Sequence, residues 1–161
     1  NMAGVSLDHF IDAQNTNLEA AVVELTAGQK TSHWIWYIFP QIAELGYSER
    51  AKYYGIKTRK EAKAFISHSM LSANYSSCLD ALLQHTGTPI MTIMGGIDAS
   101  KLKSSLTLFK GLSDDPDLQQ KISNTLSSFF DGDECEKTKA FLSTQPTLGF
   151  KLGFRPRFNA S

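Results

Sequence analysis

No run of apolar residues in this chain approaches the roughly 20 needed to span a bilayer, so no membrane partner is expected. An excess of either charge is missing as well: Lys plus Arg and Asp plus Glu both number 16. That balance argues against a dedicated nucleic-acid or membrane-surface binder. Cysteine is scarce. Cys78 and Cys135 have no motif spacing, which excludes a disulfide framework and a cysteine-based metal centre. Two free thiols in a reducing cytoplasm are the expectation. Cys78 falls in mid-helix and Cys135 near a charged helix start, and neither reads as a nucleophile. The first residues lack a charged region followed by an apolar one, so no secretory signal is expected. Also missing are runs of Val and Ile bounded by turns, the signature of strands.

What remains is helical pattern, in a length of 161 residues that suits one domain. Leu7, Phe10, Ile11 and Gln14 begin a helix. Thr16 with Glu19 three residues later forms a capping box, which predicts a break at Asn15-Thr16 and a second helix ended by Gly28. Ser32 is the expected cap of a helix through the aromatic stretch Trp34–Phe39, stopped by Pro40. Ser48 and Thr58 cap the next two, the latter with Glu61 in a capping box. Leu71, Tyr75, Cys78, Leu79 and Leu82 share one face of another. Pro89 opens a short turn closed by Gly95-Gly96, and Asp98 is the expected cap of a helix whose core face is Leu102, Ser105, Leu106, Phe109 and Leu112. Asp114 or Asp115 caps a helix with Pro116 early in it. Asp133 begins the last. The fold class is therefore all-α, a compact multihelical domain over 6–143 with roughly seven to nine short helices.

A tail, 144–161, departs from this pattern. Phe150, Phe154 and Phe158 recur every four residues, with Lys151, Arg155 and Arg157 between them. The expectation is that it packs on its own domain or on a second copy, giving a homo-oligomer. Three charges are too few for a nucleic-acid stacking platform.

Chemistry has two candidate homes. In the first, helical spacing would stack His33, Tyr37 and Gln41 in a polar line, beside aromatic walls from Trp34, Trp36 and Phe39. That arrangement suits a planar or sugar-like small-molecule ligand. In the second, Asp98, Lys101, Ser104 and Ser105 follow Gly95-Gly96 at a helix start. The order of residues is not that of a phosphate loop. An ion pair between Asp98 and Lys101, and a Ser105 hydroxyl bonded to the carbonyl four residues back, are the simplest local expectations. His9 is expected in solvent, and His68 and His85 at helix C-termini, where the dipole favours a cation. No histidine pair has metal-ligand spacing, so neither a metal nor another cofactor is expected.

The quoted stretches also resemble a known family. "FIDAQ" at 10–14, "GQKTSHWIWYIFPQ" at 28–41, "LGYSERAKYYGI" at 45–56, "EAKAFISHSML" at 61–71 and "DASKLKSSLTLF" at 98–109 are similar to the bacterial domain-of-unknown-function family eighteen-ten. That family often carries the label calpastatin. The label does not suit this chain, because a calpain inhibitor of that kind is a disordered repeat protein. The resemblance implies a compact multihelical fold in a cytoplasmic bacterial protein and supplies no activity. Its motif covers His33, Trp34, Trp36, Phe39, Pro40 and Gln41 in one segment, and Asp98, Lys101, Ser104, Ser105 and Thr107 in the other.

The two segments are expected to pack together and form a ligand-binding or catalytic pocket. His33 would serve as acid/base or hydrogen-bonding group. Lys101 would hold an anionic or carbonyl group, and Trp34 and Trp36 would form the apolar wall. The alternative is a non-enzymatic interaction module that self-associates through the tail.

Overall fold

A computed structural model describes residues 4–144 of the chain. Over that range the elements are α1 (Asp8–Ala27), α2 (Ile35–Ile38), a 3₁₀ turn (Ala43–Leu45), α3 (Glu49–Tyr54), α4 (Arg59–Ser67), α5 (Ser69–Leu83), α6 (Ile90–Lys110), α7 (Pro116–Phe130) and α8 (Glu136–Ser143). The all-α expectation holds: no strand occurs among the described residues, only one parallel bridge between Ile42 and Ile56. None of these helices is long and apolar enough to cross a membrane. The Phe-rich tail from Gln145 onward lies outside the described residues.

Local chemistry explains most boundaries. Ser48 accepts from the Ala51 amide at 3.1 Å, and Thr58 from Glu61 at 3.0 Å, so both expected caps form. Asp115 caps α7 through the Asp117 and Leu118 amides, with Pro116 in the first turn. Gly95 stands at φ 80°, ψ 164° and kinks α6 where the glycine pair was read as a break.

Several expectations fail for reasons that lie far along the chain. Asn15-Thr16 does not interrupt α1. Gln14 is buried there, donating to the Tyr37 carbonyl (2.7 Å) and accepting from Asn74 (2.8 Å). This brace ties α1 to α2 and α5 across the point of the expected break, and the Thr16 hydroxyl donates back to the Asp12 carbonyl at 3.4 Å instead of capping. His68 closes α4 as expected, its amide donating to the Ala64 and Phe65 carbonyls, but its side chain serves the next helix. Its Nδ1 accepts from the Met70 and Leu71 amides and so caps α5. His9 is half-buried, stacked against Tyr54 with 5.7 Å between ring centroids. The last helix starts after Cys135 rather than at Asp133.

The core is an aromatic chain. Phe10 meets Phe65, Phe65 stacks on Phe109, Phe109 meets Tyr75, and Tyr75 meets Phe39, with centroids 5.0–5.3 Å apart. Trp34 lies beyond Phe39 at 6.2 Å. Helices α1, α4, α5, α6 and α7 surround this chain, and α8 packs on α6.

Candidate functional site

The segment 31–41 is held by α1. One oxygen of Glu24 accepts from the Thr31 amide (2.8 Å), the Ser32 amide (2.9 Å) and the Trp34 indole (2.9 Å). Burial opposes ionisation of this carboxyl, but the hydrogen bonds from Ser32, Thr31 and Trp34 outweigh it and hold its pKa down to about 2. Thus Ser32 is not a cap. The chain through His33 stays irregular, the cap position falls at Trp34 with no side-chain cap bond, and α2 is a single turn before Pro40.

The expected polar line therefore does not form. His33 is exposed ahead of α2, Gln41 lies beyond its end, and Tyr37 turns toward Tyr54 at 5.2 Å, its hydroxyl reaching the His33 carbonyl at 3.4 Å. Burial and the neighbouring Tyr54 raise the Tyr37 pKa.

Segments 31–41 and 95–109 do meet, through a contact not expected from the sequence. The almost fully buried Lys30 pairs with Asp98 at 2.7 Å, and its ammonium lies 4.8 Å from the Trp34 ring centre. Asp98 is thus neither a cap nor the partner of Lys101, and Trp34 is core rather than a pocket wall. The clasp places Trp36 beside α6, between Arg50 (4.9 Å) and Lys101 (5.3 Å). The Trp36 indole N–H is buried with no partner among the described residues. A hole of about 10 Å³ between Trp36, Gln41, Tyr54 and Lys101 has room for one water.

Beyond Lys101 the surface opens into a cleft of about 880 Å³. Three pieces of chain wall it: Gln41–Ala51, the middle of α6, and the start of α8. The bridge at Ile42 fixes the first wall, with the Ala43 amide 2.8 Å from the Ile56 carbonyl and the Ile56 amide 2.9 Å from that of Gln41. Gly55 permits it, since a Cβ there would stand 2.6 Å from the Ala43 Cα. The polar lining includes Gln41, Lys101, Lys103, Ser104, Cys135 and Lys137. Ser104 also bonds back to the Ser100 carbonyl at 3.0 Å. Ser105 faces away: its hydroxyl and that of Tyr75 share a buried hydrogen bond of 2.9 Å, in place of the expected bond to the preceding turn. Thr107 likewise serves structure, accepting from the Cys135 amide at 3.0 Å.

The charges are uneven. Of the two glutamates lining the cleft, Glu134 pairs with Lys110 at 2.6 Å, and the exposed Glu136 makes a looser contact with Lys139 at 3.6 Å. Lys101, Lys103 and Lys137 have no carboxylate within ion-pair distance among the described residues. A larger cleft of about 1370 Å³ runs between α4 and α8. There Lys63 is already occupied by Asp114 (2.6 Å) and the Leu112 carbonyl (2.8 Å), and neither thiol nor imidazole lines the walls.

Cys135, read from the sequence as lying near a charged helix start and set aside there as a nucleophile, is at the α8 end of the cleft. Burial would raise its pKa. The Ser104 and Thr138 hydroxyls and the Thr138 and Lys137 amides around the sulfur outweigh that and lower it. Cys78 is the contrast, sealed in apolar core and pushed up to about 12. One signal could have marked Cys135, its place immediately before the helix Glu136–Ser143.

Residues 4–142 match a family described as a protein of unknown function, DUF1810. The crystal structure of the conserved hypothetical protein Rv1873 from Mycobacterium tuberculosis, at 1.38 Å, is similar with a TM-score of 0.81 and 36% identity, over 86% of this chain and 97% of that one. None of the curated proteins matches.

Proposed function

The chain belongs to the DUF1810 family of proteins of unknown function, and from that premise we propose that the cleft between Gln41, Lys101 and Cys135 binds a small anionic ligand. The observation that carries this reading is the charge pattern. Lys101, Lys103 and Lys137 line one concavity without an ion-pair partner among the described residues, whereas Glu134 pairs with Lys110 at 2.6 Å and the exposed Glu136 more loosely with Lys139 at 3.6 Å. An anion entering there meets uncompensated positive charge and the polar groups of Gln41 and Ser104. A carboxylate- or phosphate-bearing metabolite fits these groups. His33 has no part in this reading, because it stands in solvent outside the cleft lining.

Thermal shift against a set of small carboxylates and phosphates tests it, comparing wild type with Lys101→Gln. At a hundredfold excess over Kd a ligand stabilises by about 2.7 kcal/mol, which raises Tm by about 5–11 °C for a domain of this size. The variant loses most of that shift. Equal shifts in the two proteins, or none with any anion, would sink the proposal.

A further inference from the structure

We propose that the small hole beside Trp36 is an oxygen pocket, in which the Trp36 indole N–H, the Gln41 carboxamide and the Lys101 ammonium take one oxygen of a carboxylate. This rests on the reading of the adjoining cleft as an anion site and narrows its ligand to an ionised carboxylic acid.

Three polar groups meet at the hole. Trp36 lines it, and its indole N–H is buried with no hydrogen-bond partner among the described residues. A buried donor in that state is costly, so an acceptor belongs beside it. Gln41 lines the hole too, and is only 9% exposed. Its backbone carbonyl takes the Ile56 amide, but its carboxamide has no hydrogen-bond partner among the described residues. Lys101 is the third, with its ammonium 5.3 Å from the Trp36 ring centre and no carboxylate partner among the described residues. Arg50 stands over the same ring at 4.9 Å. Neither Asp nor Glu lines the hole, whose apolar walls include Ile35 and Phe39. Donors and cations with no acid among them call for an anionic acceptor. The chain makes that contact once within itself, where the Trp34 indole donates to the Glu24 carboxylate at 2.9 Å. At Trp36 the carboxylate comes from the ligand.

Size selects the ligand. Gln41, Ala51 and Lys101 line both the hole and the cleft, so the two adjoin. The volume of about 10 Å³ suits a single water-sized group. One carboxylate oxygen fits there, and the flat group leaves its second oxygen on the cleft side with Lys101. A phosphate is broader behind each oxygen and would bring more charge against the apolar walls, so it stays in the cleft among the lysines.

Titration of the ¹⁵N-labelled full chain with acetate, acetamide and inorganic phosphate at constant ionic strength tests this. The signals followed are the indole N–H resonances of the two tryptophans. Glu24→Gln identifies the Trp34 signal, which loses its carboxylate partner, and so assigns the other to Trp36. Acetate moves the Trp36 signal downfield and saturably, as a hydrogen bond to a charged acceptor should. The Trp34 signal, held by Glu24, stays in place. Acetamide has the same shape without the charge and moves neither. Phosphate shifts the backbone amides of residues 100–104 and leaves the Trp36 indole nearly unmoved. In Trp36→Phe, acetate affinity read from those amides falls by about tenfold, while phosphate affinity is unchanged. A Trp36 indole that answers none of the probes, or answers phosphate or acetamide as strongly as acetate, overturns the inference. If it is silent while anions still raise the Tm in a Lys101-dependent way, the oxygen pocket falls and the anion cleft stands. If neither the indole nor the Tm responds, both fall.

Discussion

Replacing Glu24 with Gln tests the clamp that positions the 31–41 segment. The carboxylate oxygen takes three hydrogen bonds, from the Thr31 and Ser32 amides and the Trp34 indole. Its pKa falls from 4.5 to about 2 on folding. Fully realised, that difference is worth about 3.4 kcal/mol. Glu24 is half-buried, and solvent screening removes half or more of this, leaving about 1.5 kcal/mol. The sign follows from a folded pKa below the unfolded one. The stabilisation is complete above about pH 4.5, fades as pH falls toward 2, and is gone below that. Glu24→Gln therefore lowers Tm by about 3–6 °C at pH 7. By pH 3 more than half of the gap has closed, with roughly 0.6 kcal/mol remaining. Denaturant melts of both proteins at pH 7, 5, 4 and 3 measure it. A gap that stays constant across the series, or no gap at pH 7, refutes the clamp.

Two further substitutions test the frame of the cleft. Ser105→Ala leaves the buried Tyr75 hydroxyl without its partner and costs about 1–3 kcal/mol, whereas adding Tyr75→Phe recovers part of that loss. A double variant as costly as the sum of the singles would mean that the hydroxyls do not interact. Gly55→Ala puts a methyl 2.6 Å from the Ala43 Cα. It separates Ile42 from Ile56 and costs about 1–3 kcal/mol by overpacking. Full stability together with undiminished anion binding would show that the bridge does not set the Gln41 wall.

The parts of the fold readable in the sequence are those set within a few residues. Ser48, Thr58 and Asp115 cap their helices through amides two or three positions ahead, and Gly95 breaks α6 through its own backbone freedom. The unreadable parts depend on partners far along the chain. Gln14 carries α1 past an apparent capping box by bonding to residues 37 and 74. Asp98 answers Lys30 rather than Lys101, and Ser105 answers Tyr75 rather than its own helix. The same holds for the candidate site. Lys101 and Gln41 do share a cleft, but the third wall comes from the start of α8, where a lone cysteine carries no spacing to announce it. His33 looked functional because a helix starting at Ser32 was expected to stack it with Tyr37 and Gln41. Glu24 prevents that helix.

The central claim is that uncompensated positive charge at Lys101, Lys103 and Lys137 makes a specific anion site. A titration of the ¹⁵N-labelled protein with inorganic phosphate, followed by amide chemical shifts, tests this most directly. The account predicts saturable shifts concentrated on residues 100–104 and 135–138. Arg59, Lys60 and Lys63, along the larger cleft, remain unmoved. Shifts spread evenly over all lysine-bearing surfaces, or centred on the 59–63 helix, would contradict it.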